Sequence, residues 1–78
     1  MAIRTDGFTV DLLFPDEYSD FIAELYFRED FLGVIDQEKG FDNLEIEFDP
    51  VIADMKFPLD GLSEAIEHAK RRLWETEG

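Results

Sequence analysis

The sequence predicts an α+β fold, an antiparallel meander of four to five strands with one C-terminal amphipathic helix packed on one face. Two patterns carry this reading. In Leu44-Glu45-Ile46-Glu47-Phe48 the apolar residues alternate with acids, as in an antiparallel strand with one buried and one solvated face. After Asp60 the period changes, and Leu62, Ala65, Ile66, Ala69 and Leu73 fall on one stripe of a helix.

Taken in order, Gly7 opens the apolar run Phe8 to Phe14, which Pro15 and Asp16-Glu17 close, so a first strand is expected there. Tyr18 to Arg28 has two readings. Tyr18, Phe21, Ile22 and Leu25 fit helical spacing, whereas Phe21, Ala23, Leu25 and Phe27 alternate as a strand. The aromatic and β-branched run that begins at Phe31, after the polar interruption Arg28-Glu29-Asp30, favours a hairpin of Phe21 to Arg28 with Phe31 to Glu38. A helix there would remove Glu24 and Tyr26 from the solvated face and one strand from the sheet. A turn at Lys39 to Asn43 leads to the Leu44 to Phe48 strand. Met55 to Leu59 repeats the alternation, and Pro58, which lacks an N–H, makes it an edge strand or ends it at that point. Asp60 is the expected N-cap of the helix, Lys70, Arg71 and Arg72 complement its dipole near the far end, and Glu67 is set to pair with Arg71.

A chain of 78 residues is expected to form a single domain, residues 1–78. Its small core leaves little stability for deep pockets or strained catalytic geometry. Twenty acids against seven bases give a net charge of −13, well beyond the roughly 2 to 8 that solubility asks of a small domain. Such a chain lacks the basic footprint that nucleic acid or an anionic membrane requires. Residues 1–60 hold 16 of the acids and only 4 bases, so the acidity belongs to the sheet and its loops. Without cysteine there is neither a disulfide nor a thiolate metal site. No apolar run nears the ~18 residues of a membrane span, and the N-terminus lacks the apolar stretch of a signal peptide, so a cytoplasmic protein is expected.

Catalytic patterns are weak. Glu45 and Glu47 are a carboxylate pair of the kind a glycosidase uses, but a sheet this short has no cleft to surround a sugar. The acids at 42–45 and 49–54 do not follow the alternating ligand, glycine and terminal glutamate framework of an EF-hand. His68, the single histidine, has Glu64 and Glu67 beside it on the helix and no nucleophile to serve. Neither a phosphate-binding glycine loop nor a zinc-spaced cluster is present. The expectation is a protein that is no enzyme and needs no metal or cofactor.

Three stretches, Phe31 to Gly40, Leu44 to Phe48, and Phe57 to Asp60 running into Ala65-Ile66 and Ala69 to Leu73, together resemble small bacterial proteins encoded near polymorphic toxins, immunity-type proteins among them. The resemblance covers about the last 48 residues. It implies an inhibitor that binds one cognate toxin domain, and it carries no residue set of its own. Charge and exposure alone nominate the partner-binding residues: Asp36, Glu38, Asp42, Glu45 and Glu47 as the electrostatic part, Tyr26 and Phe41 as aromatic anchors. The partner expected is a basic protein, such as a nucleic-acid-targeting toxin domain. The alternative is a structural or regulatory subunit that forms a homodimer through its helix or through Met55 to Pro58.

Overall fold

The computed structural model describes residues 3–5 and 7–77. Five strands, β1 (Ile3–Thr5), β2 (Phe8–Leu13), β3 (Ile22–Phe27), β4 (Asp30–Asp36) and β5 (Glu45–Phe48), are followed by one helix, α1 (Leu59–Glu77). The sheet is an antiparallel meander in the order β1-β2-β3-β4-β5, and α1 packs across one face. This is the predicted architecture, and the Tyr18 to Arg28 ambiguity resolves as a strand from Ile22 preceded by a loop.

Two elements differ from expectation. β1 was not foreseen: it pairs Ile3 with Val10 and Thr5 with Phe8 across a turn in which Gly7 takes φ 89°, a backbone region open to glycine at little cost. Met55 to Leu59 is not a strand. Pro50–Ile52 forms a short 3-10 helix capped by the Asp49 side chain, which accepts from the Val51 N–H at 2.9 Å, and the chain then runs irregularly into α1. The apparent alternation reflects Phe57 packing inward from this loop, where its ring meets Phe8 and Phe27 at 6.2 and 5.3 Å.

α1 starts at Leu59, two residues before a helix capped by Asp60 would, so Asp60 sits within the first turn and not at the cap, where it still favours the positive helix end. Glu67 pairs with Lys70 at 3.9 Å, not with Arg71, and the helix continues past its three bases to Glu77.

Register assigns the two faces of the sheet. Phe8 faces Phe27, Val10 faces Leu25 and Leu12 faces Ala23, and these side chains meet the Ala65, Ala69 and Leu73 stripe of α1 in the core. The small alanines let the helix lie close to the sheet. Leu32 is an extra residue in β4, skipped between the pairs Leu25–Gly33 and Tyr26–Phe31, and this bulge sends it into the same core. α1 makes most of its sheet contacts with β1, β2 and β3, whereas Phe48 of β5 borders a hollow lined by Ile52, Phe57 and Leu62.

Candidate functional site

The opposite face of the sheet has no helix over it. Register places Thr9, Asp11 and Leu13 of β2 there, with Ile22, Glu24 and Tyr26 of β3, Phe31, Val34 and Asp36 of β4, and Glu45 and Glu47 of β5. Carboxylates meet directly across strands twice, Asp11 opposite Glu24 and Asp36 opposite Glu45. Like charges so placed oppose folding by a few tenths of a kcal/mol or more each.

Some of this charge is answered locally. Glu24 accepts a hydrogen bond from the Tyr26 hydroxyl at 2.8 Å, and Glu45 from the Lys39 ammonium at 2.9 Å. The Lys39 amine is held above its ordinary range by that bond and by the Glu45 charge. Asp36 accepts from the Glu38 N–H at 3.2 Å. Among the described residues, Asp11 and Glu47 have no hydrogen-bond or ion-pair partner.

The loop before β3 adds to the face. Tyr18 donates its N–H to the Pro15 carbonyl at 3.1 Å, and the N–H and hydroxyl of Ser19 bind the Glu38 carboxylate. This return of the chain leads into β3, whose first residue, Ile22, is only 2% exposed although it lies on the face without a helix. It also sets the Tyr18 phenol among acids: partial burial first, then the charges of Asp36, Glu47, Glu17 and Glu38, raise it above its ordinary value. At the other end Tyr26 meets Phe31 edge-on at 5.5 Å, and its phenol is raised chiefly by its bond to Glu24.

Asp36, Glu45 and Glu47 thus come together and line one shallow depression. Tyr26 shares their face at its far end, and Glu38 lies just beyond β4, engaged by Ser19. Phe41 and Asp42 are elsewhere. They belong to a 3-10 turn, Phe41–Asn43, on the wall of a groove of about 440 Å³ between β5 and α1, where Phe41 packs on Trp74 at 5.1 Å and Glu45 stands at the rim. Asp11 and Tyr18 escaped the sequence reading. Asp11 could have been found, because it alternates with Val10 and Leu12; the position of Tyr18 follows from a loop with no periodic signal.

His68 is half-buried on α1. Burial, followed by Arg72 and Arg71, lowers its pKa, and its Nε2 is buried without a hydrogen-bond partner. Among the described residues, no three His, Asp or Glu side chains converge as a metal site would require, and no helix is long and apolar enough to cross a membrane. No protein family, curated protein or solved structure shows significant similarity to the chain.

Proposed function

We propose that the protein is an acidic protein-binding module, most concretely an immunity-like inhibitor that caps a basic, nucleic-acid-targeting toxin domain. One observation carries the reading: five carboxylates share a sheet face without a helix, two pairs of them directly opposed, with Asp11 and Glu47 left unpartnered among the described residues. A basic cleft built to hold phosphates is the complement of such a face, and charge of this kind speeds encounter and makes binding salt-sensitive. Tyr18, Tyr26 and Phe31 supply aromatic contact within the same field.

The test titrates the purified chain into a panel of basic nuclease toxin domains at low and high salt, following both affinity and protection of the nucleic acid. The expected result is a partner that is inhibited, released by salt, and lost to the Glu45→Lys/Glu47→Lys variant. Inhibition that ignores salt and charge reversal, or no inhibition across the panel, would sink the reading. Exposed Phe48, Val51 and Leu59, at 46%, 76% and 74%, favour a second reading, self-association. Sedimentation showing a salt-insensitive dimer would support it.

A further inference from the structure

β5 ends the sheet, and its outer edge is open. The Asp49 N–H donates to the Leu32 carbonyl at 2.8 Å, which continues the β4–β5 register and fixes which residues of β5 bond to β4. By the alternation of an antiparallel ladder these are Glu47 and Glu45. The N–H and C=O groups of Ile46 and Phe48 therefore point away from the sheet, and among the described residues nothing bonds to them.

The two sides of this edge differ in chemistry. On the uncovered face stand Glu45 and Glu47, both exposed. On the helix side Ile46 lines the groove of about 440 Å³ with Phe41, Leu44 and Ile66, and Phe48 lines a second hollow with Phe57 and Leu62. A strand added here would meet carboxylates with every second side chain and apolar hollows with the others. A second copy of the chain suits this edge poorly, because β5 against β5 would bring Glu45 and Glu47 against the same residues of the copy.

We infer that β5 accepts an extended segment of the basic partner as a sixth strand, one whose side chains alternate between cationic and apolar. The inference rests on the reading that this face receives a basic partner, and it specifies how. Main-chain bonds to Ile46 and Phe48 supply affinity, lysines or arginines beside Glu45 and Glu47 fix the face, and an apolar residue beside Ile46 enters the groove.

The probes are synthetic eight-residue peptides: one alternating lysine and valine, an isomer of the same composition with its lysines in one block, and two alternating peptides N-methylated on the lysine or on the valine amides. The alternating peptide is expected to bind at least about tenfold more tightly than the block isomer and to slow amide exchange at Ile46 and Phe48. Methylating one set of amides abolishes binding and methylating the other leaves it, because only one edge of a strand faces β5. Equal, salt-sensitive binding of the alternating and block peptides, indifferent to either methylation, would overturn strand addition while leaving the charge reading standing. If no peptide binds even at low salt, both are overturned.

Discussion

Gly33 of β4 stands directly opposite Phe48 of β5, and the backbones approach so closely that a Cβ on Gly33 would collide with the Glu47 carbonyl oxygen and lie 3.0 Å from the Phe48 Cα. The obstacle is backbone, which cannot swing aside as a side chain would. Gly33→Ala should therefore cost about 1–3 kcal/mol in urea unfolding. The amide spectrum should change most in β5, and affinity for a basic partner should fall because Glu45 and Glu47 move with that strand.

Glu47 faces Val34 across the ladder and lies two residues from Glu45 on the same face. Glu47→Gln removes repulsion without removing a partner, so thermal or urea unfolding should show a gain of a few tenths of a kcal/mol, while salt-sensitive binding weakens. A clear loss of stability would instead give Glu47 a structural role.

Both tyrosines described here should ionise above 10.0, for different reasons. Burial is the leading cause for Tyr18, followed by surrounding carboxylates, which salt screens, whereas the leading cause for Tyr26 is a direct hydrogen bond. In 1 M salt the Tyr18 titration, isolated by ultraviolet absorbance in a Tyr26→Phe variant, should move back toward 10.0 but not reach it. Tyr26, followed by ring signals in the wild type, should move less. Because folding favours the neutral phenols, their contribution to stability is complete below 10.0 and is lost as pH rises through the folded-state values.

His68 has the opposite sign. Its folded pKa lies below 6.5, so in the interval under 6.5 the unfolded chain binds the extra proton and stability falls as pH falls. Urea midpoints of the wild type and His68→Gln should diverge as pH drops from 7.5 to 5.5, with the wild type losing more. Acid groups titrate in both proteins, so the difference isolates the imidazole.

What was legible in the sequence followed from periodicity under one-sided burial. The strands β2 through β4 and the stripe of α1 show it by burying mainly one face, and β5 keeps the alternation with only Ile46 half-buried. β1 was not legible: three residues, Ile3–Thr5, are too few to display a period, and they form a strand by pairing with β2. Met55 to Leu59 misled for the converse reason, since a loop anchored by one inward Phe57 can imitate alternation without any partner strand. In the candidate site, Asp36, Glu45 and Glu47 could be grouped from strand parity alone. Phe41 and Asp42 could not be placed, because the turn that carries them leaves the sheet plane for the side of α1.

The offset of α1 toward β1, β2 and β3 makes the sheet a cantilever, clamped on one side and overhanging at β5. Amide exchange should therefore grade across the molecule, slowest at Val10 and Leu25 under the helix and fastest at the β5 margin, where fewer buried contacts oppose fraying. A ligand seated on that margin would turn a fraying end into an interior strand. Its grip would then be read as a rise in the lowest local opening energy, before any change in the global melting transition.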